Sequence, residues 1–307
     1  MTTPTLIPFA EGEARLTWAG LTAALEAGHR QPRAQITDSF LYRGAETILN
    51  RVAWIDGMGI AVKTATLYPA NPGAGKPTVN GGVSVFSDED GTLEAVIDFH
   101  LVTKWKTVGD SLLAATKLAR PDSRKILIVG AGTVARSLPD AYGSAFPEAE
   151  FTVWNRSRAG AERLAAGRPG MAVADDLEAA VRAADIVTCA TMSPEPVIRG
   201  DWLQPGQHID LIGAYRPDMR EADDAALQRA RVFVDSRDTT LGHIGELKIP
   251  LETGAISEAD VLADYYDMAG GGFARRHDDE ITLFKNGGGA HLDLMTSRYV
   301  LEAWRQG

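Results

Sequence analysis

The sequence predicts an α/β protein: a parallel nucleotide-binding sheet in the second half of the chain, and a second, mostly antiparallel α+β lobe ahead of it. Three observations predict this. The run Lys125-Ile-Leu-Ile-Val129 is apolar on both faces, as a buried parallel strand requires. Gly130-Ala-Gly132-Thr-Val-Ala135 follows at once, and after a helix-length gap comes another apolar run, Phe151-Thr-Val-Trp154. Strand, tight glycine turn, helix and strand in that order form the first unit of a Rossmann dinucleotide-binding fold. Upstream, short strand-like runs are punctuated by Gly44, Asp56-Gly57, Gly59 and Gly91, the signature of hairpins.

The glycine turn carries the first functional expectation. Gly130 allows the turn, and Gly132 lets the backbone approach a pyrophosphate at a helix N-terminus. Thr133 and Val134 complete the loop, and Ala135 takes the small third position, where helix and sheet pack closely. The second strand ends without an acidic residue. A carboxylate there would bond a ribose 2'-hydroxyl and repel a 2'-phosphate. Asn155, Arg156, Ser157 and Arg158 offer amide, hydroxyl and guanidinium donors instead, which suit a phosphate. NADP(H) is therefore the expected cofactor, with NAD(H) second.

Composition narrows the class. The chain has 307 residues and a net charge of -10, enough for two lobes and the wrong sign for nucleic acid or an anionic membrane as main partner. Its single cysteine, Cys189, sits in the apolar run Asp185-Ile-Val-Thr-Cys-Ala190 and reads as a core residue. No cysteine/histidine spacing suggests a metal. The start, Met1-Thr-Thr-Pro-Thr, lacks a basic region followed by an apolar stretch, so no secretion signal is read, and no run is long enough to span a bilayer. A soluble cytoplasmic protein is expected.

Taken in order, a short strand is expected within residues 3–10, and Thr17 caps a helix over 18–28. Strands follow at 39–42, 47–55 and 60–67. Lys63 stands among apolar residues in the last of these and must find an anion or reach water. A loop at 69–77 precedes strands at 79–86 and 92–98. A helix is expected over 103–119, with Lys104 and Lys106 near its start, where lysines and free N–H groups suit an anion. Asp110 would pair with a lysine or a substrate amine, and His100 would precede this helix. Segment 120–124 is the expected hinge. Helices at 159–166 and 176–183 and a short strand at 171–174 continue the Rossmann pattern. The strand at 185–190 leads into Thr191 and Ser193, at the end of the sheet where ligands bind. Further strands are expected at 208–212 and 231–235, with a helix at 223–228 between them. Residues 240–280 are weakly patterned, with a capped start at 257–260. A buried strand at 281–284, a glycine turn and a helix over 291–304 close the chain. The domains expected are 1–119 for substrate and 120–290 for the nucleotide, with 291–307 returning to the first lobe and forming a cleft.

Several landmarks occur together and in order: the strand from Lys63 to Pro69, the Gly91 turn before the following helix, and the Gly130 loop. Gly213-Ala-Tyr-Arg-Pro-Asp-Met-Arg-Glu221, Val234-Asp-Ser236 and Glu280-Ile-Thr-Leu-Phe-Lys285 before glycine complete the set. With these the chain resembles the ornithine cyclodeaminase/mu-crystallin family along nearly its whole length. The resemblance implies a discontinuous substrate and dimerisation lobe, a Rossmann lobe and a homodimer. It also implies a small imino- or amino-acid substrate. Lys63 matches the family lysine that holds the substrate carboxylate. Lys106 falls where the family usually has an arginine for the same carboxylate, so the charge is kept and the bidentate fork is lost. Tyr215 falls where cyclodeaminases carry an aspartate, which counts against cyclodeamination. Arg33 is a further carboxylate candidate; His100, His291 and Asp293 are left open. The expected reaction is NADPH-dependent reduction of an α-imino acid C=N bond, in a cyclic ketimine or a linear iminodicarboxylate. Tyr215, Asp110 or a water are the candidate proton donors. The alternatives are an alanine-type dehydrogenase, a cyclodeaminase and a nucleotide- or small-ligand-binding protein.

Overall fold

Two sheets organise the chain. The structure, a computed structural model, describes residues 3–306. Met1, Thr2 and Gly307 lie outside the described residues, and with them the first two positions of the segment read for a secretion signal. The chain divides into two units: residues 3–106 with 288–306, and residues 107–287.

The first unit opens with β1 (Thr5–Ile7), α1 (Phe9–Glu13) and α2 (Trp18–Gly28). The Thr17 hydroxyl caps α2 by accepting from the Gly20 N–H at 3.1 Å. β2 (Gln35–Arg43), β3 (Glu46–Ile55), β4 (Gly59–Leu67), β5 (Val79–Phe86) and β6 (Leu93–Asp98) follow. The sheet order is β1-β6-β5-β4-β3-β2. All its pairs are antiparallel except β1 with β6. β2 is the edge, and every one of its residues is exposed. Along β4, burial alternates and places Lys63 on the buried face between Ala61 and Ala65. Two small neighbours leave room there for a long cation.

The next helix, α3 (Phe99–Leu118), begins earlier than the expected Thr103. The Asp98 carboxylate accepts from the Leu101 N–H at 2.9 Å and starts the helix. Lys104 and Lys106 therefore lie beyond its first turn, and the anion site expected at the helix start is not formed by them. Lys104 pairs instead with Glu13, and His100 is exposed within the first turn.

The second unit carries β7 (Lys125–Val129), α4 (Leu138–Ala145), β8 (Glu150–Trp154), α5 (Arg158–Ala166), β9 (Ala172–Val173), α6 (Leu177–Ala183), β10 (Ile186–Cys189) and β11 (His208–Leu211). After these come α7 (Asp224–Arg229), β12 (Arg231–Val234), α8 (Arg237–Thr240), α9 (Gly245–Thr253), β13 (Val261–Ala263) and β14 (Thr282–Lys285). Its eight strands are all parallel, in the order β13-β12-β14-β11-β10-β7-β8-β9. β7 goes outward to β8 on one side and β10 lies on the other, so the strand order reverses at the end of β7. That is where open α/β sheets bind ligands. β10, β11 and β14 are buried at every residue, as two-sided coverage requires. Cys189 is a buried free thiol in β10.

The helix after the glycine turn differs from expectation. Residues 132–137 form irregular turns, with the Arg136 N–H bonded to the Gly132 carbonyl at 3.3 Å, and regular helix begins only at Leu138. Pro139 lies in the first turn of α4, where its missing N–H costs no helical bond. α10 (Ala290–Gln306) completes the first unit, packing on α2, β3 and β4. A mixed, largely antiparallel sheet and a parallel Rossmann sheet are thus both present, as the sequence predicts.

Candidate active site

In the second unit, Gly130 follows β7 with φ +112°, a backbone region that favours glycine. A Cβ there would also lie 2.8 Å from the Ala190 carbonyl oxygen. The place where a Cβ of Gly132 would sit has no heavy atom within 4 Å. Gly132 and Thr133 are exposed, Val134 is half-buried and Ala135 is buried. The loop therefore presents bare backbone to open space, which fits a pyrophosphate.

At the end of β8, the Asn155 side-chain amide donates to the Ser157 carbonyl at 2.9 Å. Arg158 pairs with Glu162 and Asp175. Arg156 and Ser157 are exposed, and Arg156 has no ion pair among the described residues. The four donors expected to act together thus divide: Arg158 is engaged within the chain, while Arg156 is the guanidinium available to a ligand.

Thr191 and Ser193 use their hydroxyls locally. Thr191 Oγ1 donates to Glu221 at 3.0 Å, and Ser193 Oγ donates to the Glu195 carbonyl at 2.6 Å. Tyr215 is 59% exposed, on the loop after β11. Asp110 is fully buried, and its backbone carbonyl accepts a short bond from the Tyr265 hydroxyl at 2.5 Å. Nearby, Asp210 accepts from Tyr142 at 2.7 Å and Thr188 at 2.9 Å, and burial pushes its carboxyl up to about 6.

Sequence reasoning missed the role of Glu221 and a neighbouring carboxylate. Glu221 also accepts from the N–H groups of Thr191, Gly213 and Ala214. Glu246 accepts from the N–H groups of Glu221 and Ala222. Burial raises Glu246 to about 7, opposed chiefly by the Lys285 charge. Thr191 and Glu246 lie 30 and 25 residues from Glu221, so only the Gly213–Glu221 part of the cluster falls within one sequence landmark.

In the first unit, Lys63 and Lys106 come together around Asp293. Lys63 Nζ donates to Asp293 Oδ1 at 2.9 Å; Lys106 Nζ lies 3.8 Å from the same oxygen and donates to the Gly288 carbonyl at 2.6 Å. A third cation, Arg51, sits directly across the β3–β4 ladder from Lys63. It donates to the Gly288 carbonyl at 2.8 Å and pairs with Asp38. Only the hairpin register reveals Arg51, and the Asp56-Gly57 turn that fixes it was visible in the sequence. Lys63, Lys106 and Asp293 are each at most 5% exposed. Burial works to raise the Asp293 carboxyl, but the charges of Lys106, Lys63 and Arg51 hold it below its ordinary value.

The histidine candidates behave differently. His291 is buried against His29, their rings edge-on at 5.3 Å. Burial lowers His29 to about 4 and His291 well below the usual imidazole value, so both rings are uncharged at neutral pH. Arg33 is exposed.

A parallel sheet with a bare glycine loop at its switch point, joined in one chain to a mixed sheet carrying buried cations, defines a two-unit dinucleotide-binding protein. The ornithine cyclodeaminase/mu-crystallin family model matches residues 55–307, and the chain belongs to that family. It is similar to the Delta(1)-pyrroline-2-carboxylate reductase of Paracoccus denitrificans, with 51% identity over 303 residues, covering 97% of this chain and 96% of that protein. It is similar also to the ketimine reductase mu-crystallin of Mus musculus, 30% identical over 290 residues, covering 94% and 90%. Among solved structures, the Delta(1)-pyrroline-2-carboxylate reductase of Thermococcus litoralis in complex with NADH and L-proline matches with a TM-score of 0.90 and 26% identity, covering 98% of each chain.

Proposed function

We propose that this protein is an NADPH-dependent reductase of cyclic α-imino acids, of which Δ1-pyrroline-2-carboxylate is the type. The observation that carries the substrate class is the cation cluster of the first unit: Lys63 and Lys106 converge on one buried carboxylate, Asp293, which also feels the Arg51 charge. Two ammonium groups held side by side at a buried position suit a carboxylate ligand, which accepts charge-assisted bonds from both. The named activities of the full-length relatives supply the reaction.

When bound, the dihydronicotinamide supplies a hydride. The chain's own part is to hold and orient. Lys63 and Lys106 grip the substrate carboxylate as charge-assisted donors. Asp293 keeps Lys63 in place. The residues Gly130, Gly132, Thr133 and Val134 cradle the pyrophosphate, and Asn155, Arg156 and Ser157 face the 2'-phosphate. A protonated imine brings its own proton: the hydride pair forms the new C–H bond, and the C=N π pair becomes the nitrogen lone pair. For a neutral imine, the candidate acids are Tyr215, Asp110 and an ordered water. Tyr215 in place of an aspartate favours reduction over cyclodeamination.

We read the assembly as a homodimer. Edge strand β2 exposes Phe40, Leu41 and Tyr42 at 49%, 67% and 73%, and unpaired apolar edges are normally covered. Among the described residues no helix is long and apolar enough to cross a membrane. We place the protein in the cytoplasm, where reduced nicotinamide nucleotides are supplied.

The test is a panel of cyclic and linear α-imino acids with NADPH and NADH, followed by cofactor absorbance. Oxidation of NADPH by a cyclic imino acid is expected. If none oxidises either cofactor, the reading fails. If oxidation requires ammonia and a keto acid, the enzyme is an amino acid dehydrogenase instead.

A further inference from the structure

The β10–β11 ladder ends abruptly. Its last rung is the Ile212 N–H on the Cys189 carbonyl at 2.8 Å. Beyond it the two strand ends are no longer bonded to each other, yet they stay in contact, because a Cβ on Gly213 would run into the Thr191 carbonyl. Their next N–H groups turn to a single side chain. Glu221 Oε1 accepts from the Thr191 N–H at 2.7 Å and from its hydroxyl at 3.0 Å. Glu221 Oε2 accepts from the Gly213 N–H at 2.6 Å and the Ala214 N–H at 3.2 Å. The carboxylate is fully buried, a placement that is costly unless its oxygens are satisfied, and here four donors satisfy them. A second buried carboxylate, Glu246, holds the backbone that carries Glu221, at 2.7 Å to the Glu221 N–H and 2.9 Å to the Ala222 N–H.

A fold that needed only to close two loops would leave these N–H groups to water. Two buried carboxylates in series instead fix the strand ends on the side of the sheet where ligands bind. We infer that Glu221 is a positioning residue for the reaction: its carboxyl group extends the β10–β11 pairing and sets the two loops that receive the nicotinamide end of the dinucleotide. Glu246 supports it from behind. This rests on the dinucleotide-dependent reductase reading above.

The test compares wild type with Glu221→Gln, which keeps the shape but turns one acceptor into a donor facing N–H donors. The first readout is amide hydrogen exchange of the cofactor-free protein. Exchange in residues 190–196 and 211–217 should rise about tenfold or more, the loss of a charge-assisted bond. Binding of 2'-phospho-ADP-ribose, which lacks nicotinamide, should change by less than about twofold, while kcat falls about tenfold or more and the imino-acid KM moves less. Unchanged exchange and kcat would overturn the inference, and so would equal weakening of the nicotinamide-free fragment. If Glu221→Gln does not fold, Glu246→Gln and Thr191→Val decide. Each should accelerate exchange in both loops to a smaller degree, and wild-type exchange in both would overturn it. A wild-type protein that reduces no imino acid would defeat the reductase reading while leaving the exchange comparison intact.

Discussion

At the residue scale, Lys63 meets a structural demand and is proposed to meet a functional one. The strand pattern required this lysine to find an anion or reach water, and Asp293 answers within the chain. An ion pair alone would make Lys63 a stability residue. Lys106 beside the same carboxylate adds a second ammonium donor, and this is the basis for proposing that Lys63 also meets the substrate. Lys63→Ala should therefore lower kcat/KM for an imino acid by about 10- to 100-fold, the loss of a charge-assisted bond, and leave NADPH binding unaltered. Steady-state kinetics and nucleotide titration check this; a lower melting temperature with unchanged kinetics would make Lys63 purely structural. Arg156 carries the second residue-scale expectation. With Arg158 tied to Glu162 and Asp175, Arg156→Ala should weaken NADPH binding by about tenfold or more, with NADH little changed. The same change in Arg158 should matter less.

Most elements were legible where periodicity and turn chemistry agree. Thr17 caps α2 as read, and the apolar runs beginning at Lys125, Phe151 and His208 became strands of the parallel sheet. Boundaries failed where a side chain competes with the backbone pattern. Asp98 starts α3 a turn early. The short strand β13 lay hidden in the weakly patterned 240–280 segment because three residues at a sheet edge carry too little alternation. The same limit governs the site. Gly130 is local in sequence and was read from its neighbours, whereas Arg51 opposite Lys63 depends on hairpin register. Glu221 depends on donors from two separate strand ends, and the exchange experiment tests it at this scale.

For the whole molecule, the family supplies a two-unit enzyme, and the open edge of the first sheet adds an expectation about assembly. Leu41→Lys combined with Tyr42→Lys should shift the protein from dimer to monomer by placing like charges on both copies of a shared edge. Analytical ultracentrifugation reads this, and an unchanged sedimentation coefficient would move the interface elsewhere. A net charge of -10 argues against nucleic acid as the main partner. It could not choose among reductase, dehydrogenase, cyclodeaminase and binder, because these share the glycine loop. The reductase names of the relatives that cover most of the chain favour the first. The most direct measurement of the central claim follows the product: purified protein, Δ1-pyrroline-2-carboxylate and NADPH, with proline quantified against cofactor consumed. Equimolar proline and oxidised NADPH is the predicted result. Absence of proline, with the cyclic imine recovered intact, would contradict it.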